Sequence, residues 1–169
     1  MKKIRNIAML LIVFALCFSV LCAPAHAATA QYKSTQAFVD AMSAEGYKYT
    51  LQGVDQDGDE LVLTTFDTDN GSIEIRFYFD QNCENTYIRV WNVIDYDYSD
   101  VREVCQALDT LNGEYKFVRF YTDDYDDSVT ASLDLIYRNN DVGEICMEGL
   151  YYVVNIVEVA LADLAPYNK

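Results

Sequence analysis

Histidine is nearly absent: the 169 residues hold one, His26. Basic residues are scarce as well, with 12 Lys and Arg against 27 Asp and Glu and a net charge of −15. His26 itself stands in an N-terminal stretch with the marks of a removable leader. Lys2, Lys3 and Arg5 begin it, Ile7 to Cys22 is almost wholly apolar, and Ala25-His26-Ala27 is the small-x-small pattern a signal peptidase cuts. Its apolar core is short for a spanning helix, which needs about 20 apolar residues. A lipid anchor is excluded because Leu21 before Cys22 and Leu16 before Cys17 are bulky where a small residue is needed. Residues 1–27 are therefore expected to be a cleaved signal peptide, with Ala28-Thr29-Ala30 as a second cutting site. The expected location is secreted or extracytoplasmic, in a bacterium, with no stable membrane span after cleavage.

Each shortage excludes a class of function. Cleavage removes His26, and with it every Ser-His or Cys-His nucleophilic pair and every imidazole metal site. Cleavage also removes three basic residues and no acidic ones, so the chain from Ala28 carries −18. Such a field repels nucleic acid and anionic lipid, and suits a soluble exported protein, a basic partner or divalent cations. Of the five cysteines, Cys83, Cys105 and Cys146 remain. An odd number leaves at least one free thiol, and no pair has CxxC spacing. Cys105 and Cys146 fall on apolar faces of predicted helices. They are expected to be small buried hydrophobes, with a helix-to-helix disulfide as the alternative that export permits.

What is present is a clear alternation of periods. Ser34 caps a first helix, Phe38, Ala41 and Met42 line one face of it, and Gly46 ends it. Strands follow over Tyr47 to Val54 and Leu61 to Phe66, around an Asp57-Gly58 turn. After Asn70-Gly71 come Ile73 to Asp80 and Thr86 to Ile94. A second helix starts at Ser99, carries Val101, Val104, Cys105, Leu108 and Leu111 at helical spacing, and stops at Asn112-Gly113. Tyr115 to Thr122 and Ser128 to Tyr137 form another hairpin. Gly143 to Leu164 is a closing helix, apolar but too interrupted by Glu144, Glu148, Asn155, Glu158 and Asp163 for a membrane span. The order α-β-β-β-β-α-β-β-α predicts an α+β domain over residues 34–165, an antiparallel sheet flanked by helices, with 28–33 as a short extension.

The stretch LNGEYKFVRFYTDDYDDSVTASLDLIY, followed by GEICMEGLYYVVNIVEVAL, resembles the YbjN-like family. The carriers are a helix ending in Leu111-Asn112, the aromatic strand Tyr115 to Tyr121, an acidic tip, the strand end Leu133-Asp134-Leu135 and an amphipathic last helix. Glu45-Gly46-Tyr47 and the Asp57 to Asp59 turn extend the likeness over roughly Ser34 to Leu164. That family is described as bacterial sensory transduction regulators with a fold like type III secretion chaperones. The resemblance implies a non-enzymatic, often dimeric interaction domain, and it carries no catalytic residues. The leader is a departure, since the family's usual setting is cytoplasmic.

Alternation places Ile73, Ile75, Phe77 and Phe79 on one sheet face with Ile88, Val90 and Ile94, the expected core face. The opposite parity holds Arg76, Tyr78, Arg89 and Trp91, with Tyr115, Phe117, Arg119 and Tyr121 beside them. Arg with Trp and Tyr is the composition of interface hot spots, so Arg76, Tyr78, Arg89, Trp91, Arg119 and Tyr121 are the candidate partner-binding set. Ordinary cross-strand pairing is the competing account. The partner is expected to be a protein or a second copy; no cofactor, metal site or nucleic acid is expected. An envelope glycan- or calcium-binding module is the alternative. Counting an EF-hand from Asp55 puts Glu60 and Phe66 where Gly and Glu are required, so Asp55, Asp57, Asp59, Asp67, Asp69 and Asp123 to Asp127 are expected to be turn residues. A carboxylate-based hydrolase ranks third, because 27 acids always leave some pair within reach.

Overall fold

A computed structural model describes residues 29–138 and 141–169. The proposed signal peptide lies outside the described residues. Among the described residues three helices, α1 (Lys33–Ala44), α2 (Val101–Glu114) and α3 (Val142–Leu164), accompany six strands. The strands are β1 (Thr50–Val54), β2 (Glu60–Thr68), β3 (Gly71–Phe79), β4 (Asn85–Asp95), β5 (Arg119–Asp123) and β6 (Ser128–Ile136). They form one sheet in the order β1-β2-β3-β4-β6-β5, antiparallel throughout. The element order is the expected one with two short 3-10 helices added, Tyr98–Asp100 before α2 and Ala165–Tyr167 after α3.

The expected core face is buried throughout. Ile75, Phe77, Phe79 and Ile88 have no exposed surface, and Ile73, Val90 and Ile94 nearly none. Phe38 of α1 lies on them, its ring centroid 4.3 Å from Phe77 and 5.6 Å from Phe79. α3 presents Cys146, Leu150, Val153, Val157, Ala160 and Leu164 at alternating spacings of four and three, one continuous buried stripe. By length and hydropathy this helix could cross a membrane. Here the stripe is spent on the domain's own sheet and on α1.

Two glycines set how closely α3 lies. A Cβ on Gly143 would stand 2.7 Å from the carbonyl oxygen of Ala37 in α1. A Cβ on Gly149 would stand 2.7 Å from Leu135 Cδ1 and 3.0 Å from Ile88 Cδ1 in the sheet. The first obstacle is backbone, the second the tips of flexible side chains.

The first helix begins two residues earlier than expected, and Ser34 does not cap it. Tyr32 occupies the cap position with no side-chain bond, and Ser34 is buried. Glu60, from across the fold, instead holds the segment that leads into the helix. Its carboxylate, 1% exposed, accepts the amides of Gln31 and Tyr32 at 2.7 and 2.8 Å. The extension before the helix is therefore clamped to β2. Glu60 shares the inward parity of Val62 and Thr64, so its burial was signalled by a charge at a core position.

Turns deviate in detail. Asp69 and Asn70 are the central residues of the β2–β3 hairpin, because Thr68 pairs with Gly71. The β1–β2 connection is the longer loop Asp55 to Asp59, closed by Asp55 N–H donating to Asp59 O at 2.9 Å. Strict alternation fails after Val90, where the register to β6 shifts and Asn92 adopts a φ of 53°. This bulge lets Val93 and Ile94 both turn inward.

Replacing Gly143 by Ala is expected to lower stability by about 1–3 kcal/mol through backbone overpacking. Gly149→Ala is expected to change it by less than about 1 kcal/mol, since side-chain tips yield and Ala gains helix propensity. Urea unfolding midpoints of the two variants check the ranking.

Candidate interaction face

The sheet face away from α1 and α3 carries rows that cross the strands. Leu63, Arg76, Arg89, Ser132 and Arg119 are consecutive register partners over β2, β3, β4, β6 and β5. The adjoining row is Leu61, Tyr78, Tyr87 and Asp134. Arg76 and Arg89 stand directly opposite each other, an unfavourable like-charge pairing unless relieved. Each has its own carboxylate. Arg76 donates to Glu74 through Nε at 3.0 Å and Nη2 at 2.7 Å. Arg89 Nη1 donates to Asp134 at 2.6 Å and to Ile88 O at 2.8 Å, with its guanidinium 5.7 Å from the Tyr87 ring centroid. These pairs sit in or near solvent, so each contributes about 0–1 kcal/mol; their effect is to leave a charge-balanced surface.

Trp91 and Tyr121 flank this balanced area and are 37% and 39% exposed. Between them Thr130, the register partner of Tyr121, is fully buried, and its Oγ1 has no hydrogen-bond partner among the described residues. Burial pushes the Tyr121 phenol above its ordinary range while the nearby Arg89 charge works the other way. Arg76, Tyr78, Arg89, Trp91 and Tyr121 thus share one face, as the alternation predicted.

Arg119 occupies the row but spends its guanidinium elsewhere. Its Nη1 donates to Asn112 O at 2.7 Å and Tyr115 O at 3.3 Å, covering carbonyls at the end of α2. Tyr115 and Phe117 fall before β5, and Phe117 packs its ring 5.9 Å from Tyr152 of α3. These two do not belong to the row, because the strand starts later than its aromatic run.

Asn112, expected only to help stop a helix, has a larger part. α2 continues to Glu114, and the Asn112 side chain accepts Phe120 N–H and donates to Phe120 O, both at 2.8 Å. An amide thus stands in for a neighbouring strand along the outer edge of β5. The other edge, β1, is five residues long and irregular at Gly53, whose φ is 86°. Both edges are poor templates for further strands.

The cysteines separate by environment. All three are free. Cys105 is exposed, contrary to expectation, because Val104, Leu108 and Leu111 define the buried side of α2 and position 105 lies a helical step around from it. Cys146 is fully buried, donating to Thr86 Oγ1 at 3.8 Å. A Cys105–Cys146 disulfide is therefore not formed. Thr86 in turn exchanges a 3.0 Å bond with Tyr137 Oη, which donates to Asn85 O at 3.1 Å.

The acidic turns are organised by their own backbones. Asp55 Oδ1 accepts the amides of Asp57 and Asp59, Asp80 Oδ1 those of Glu84 and Asn85, and Asp123 Oδ1 that of Tyr125. Among the described residues no group of three His, Cys, Asp or Glu is placed to hold a metal ion.

With this geometry in hand, comparison with known proteins is informative about the fold. No family model matches the sequence, and no curated protein does. A crystal structure of YbjN from E. coli, described as a candidate transcription regulator, superposes with a TM-score of 0.55. The chain is similar in fold to YbjN. The likeness covers 75% of this chain and 87% of YbjN at 9% identity, so it is a likeness of fold alone. The YbjN-like resemblance of the sequence stands at that level.

Burial raises the Cys146 thiol from an ordinary 9.0 to about 12, the Thr86 bond opposing it. Burial likewise raises the Tyr137 phenol from 10.0 to about 12, its neighbouring hydroxyls opposing. Above pH 9 the unfolded chain releases protons that the folded chain keeps, so stability falls as pH rises from about 9 to 12. Urea midpoints across this range are expected to decline, and Cys146→Ala to flatten the lower part. Iodoacetamide is expected to label Cys105 in the native protein and Cys146 only after unfolding.

Proposed function

We propose that this chain is an exported, non-catalytic interaction domain that pairs with a second copy of itself through the open sheet face. The observation that carries this is the charge-balanced aromatic area of Arg76, Arg89, Tyr78, Trp91 and Tyr121 on a chain that carries −18 from Ala28 onward. A two-fold axis sets like surfaces against each other. Most of this chain's surface would repel its copy, whereas a face that neutralises its own arginines would not, and Arg and carboxylate can exchange partners across the axis. The irregular β1 edge and the covered β5 edge disfavour association by strand addition. Strand spacings imply a face of roughly 24 by 30 Å, about 700 Å², near the ~800 Å² per partner of a standard interface.

The YbjN-like fold, known in a protein described as a candidate transcription regulator, supports a binding role over a catalytic one. Export rests on the leader, with Lys2, Lys3, Arg5, the Ile7 to Cys22 run and Ala25-His26-Ala27. A genome-reading role is disfavoured by that leader and by the acidic charge.

Sedimentation equilibrium of residues 28–169 tests the reading. The wild type is expected to dimerise at micromolar concentration, and Trp91→Ala/Tyr121→Ala to remain monomeric with its unfolding midpoint little changed. Arg89→Glu is a poorer probe, because it would set a second carboxylate beside Asp134. A monomeric wild type, or a dimer indifferent to both substitutions, would refute pairing through this face.

A further inference from the structure

The outer side of α3 carries a second stripe that the fold leaves uncovered. Glu144, Glu148, Tyr151, Tyr152, Asn155 and Val159 are exposed and recur at helical spacing, turned away from the buried stripe that meets the sheet. Water-facing helix positions ordinarily hold polar groups. Here Tyr151, Tyr152 and Val159 are 36%, 52% and 45% exposed, and the exposed ring of Phe117 adjoins Tyr152. Only 39% of the most apolar stretch of α3 is buried, so the helix is more apolar than its own packing uses. Apolar side chains gathered on one surface mark a binding site, whereas scattered ones do not.

That surface is grooved. Between α1 and α3 lies a hollow of about 410 Å³, with Ala41, Ala44 and Met147 in its wall. A second hollow of about 310 Å³ continues it to Asn155. The two share Glu148 and Tyr151, so they form one channel. Tyr151 Oη donates to the Glu45 carboxylate, which fixes the ring beside the end of α1. From Glu144 to Asn155 the helix rises about 16 Å, three turns.

The charge of the channel is of one sign. Glu45, Glu144 and Glu148 line it, no Lys or Arg does, and α3 has neither over its 23 residues. Among the described residues these carboxylates are not placed to hold a metal ion. A second copy of the chain would bring −18 against the same acids, and nucleic acid and anionic lipid are repelled likewise. Both walls are helices whose backbone groups are already bonded. An extended peptide lying there would find no main-chain partners, whereas a helix brings its own.

We propose that the α1–α3 channel binds a cationic amphipathic helix of a partner protein, its apolar side on Tyr151, Tyr152 and Ala44 and its Lys or Arg side chains against Glu45, Glu144 and Glu148. The channel lies on the helical side of the domain and shares no residue with the open sheet face, so it stands or falls separately from self-pairing.

Fluorescence anisotropy of residues 28–169 with the labelled synthetic helix LKKLLKLLKKLLKL is the test. Binding at micromolar concentration is expected, and roughly tenfold weaker binding of a shuffled peptide of the same composition whose leucines share no helix face. Glu144→Gln/Glu148→Gln and Tyr152→Ala are each expected to weaken binding about tenfold, with unfolding midpoints and sedimentation little changed. Asp57→Asn/Asp124→Asn, an equal charge change at exposed turns, is expected to bind as the wild type does. Equal losses in the two charge pairs would overturn the assignment, since net charge alone would then attract the peptide. Equal binding of the shuffled peptide, or no binding of either, would overturn it as well. So would attachment of the chain to phosphatidylcholine vesicles, which would make the stripe a membrane surface.

Discussion

The seating of α3 governs the rest of the molecule. Gly143 brings it against the backbone of α1, and Gly149 brings it down on Ile88 and Leu135 of the sheet. One helix therefore closes the core from two directions, and Phe38, Phe77 and Phe79 are sealed beneath the pair. α1 cannot drift away from this contact, because Glu60 ties the residues before it to β2. The C-terminus adds a further tether: the Lys169 amide donates to Asp95 O and its Nζ to Tyr96 O. With both helices on one side, the strands hold a single parity, and the opposite parity is presented to solvent as ordered rows.

That opposite face is organised electrostatically instead of by burial. Two arginines placed across from each other would strain the β3–β4 pairing without Glu74 and Asp134 beside them. The carboxylates come from different places, one from two residues along the same strand and one from the neighbouring strand β6. The arginine row is thus a property of the sheet's register, and a slip of one residue would scatter it to the core side.

Period-two alternation in β3 and β4 made the core face legible from Ile73 to Val90, and with it the grouping of Arg76, Tyr78, Arg89 and Trp91. The α3 stripe was legible for the same reason at the helical period. What escaped depended on partners distant in sequence. Nothing local to Asn112 announces that its amide will meet Phe120, or that Arg119 will turn to the end of α2. Ser34 looked like a cap because its residue type suits one; Tyr32 stands at the cap position, its amide held by Glu60 from β2, and Ser34 is buried inside the first turn. Cys105 was misplaced by one helical step, since Cys counts as apolar in a periodicity argument yet tolerates water. The bulge at Asn92 needed a left-handed backbone that alternation cannot foresee.

Asn112 is followed by Gly113, the pairing most prone to spontaneous deamidation, in which the side-chain amide is lost as ammonia and an aspartate remains. While α2 is intact, the helical backbone and the two bonds to Phe120 hold the side chain out of the geometry that reaction needs. Once converted, the carboxylate could still accept Phe120 N–H, but it would set an oxygen against Phe120 O where a donor stood. Loss of that donor would loosen the cover of β5, turning a closed sheet edge into an open one.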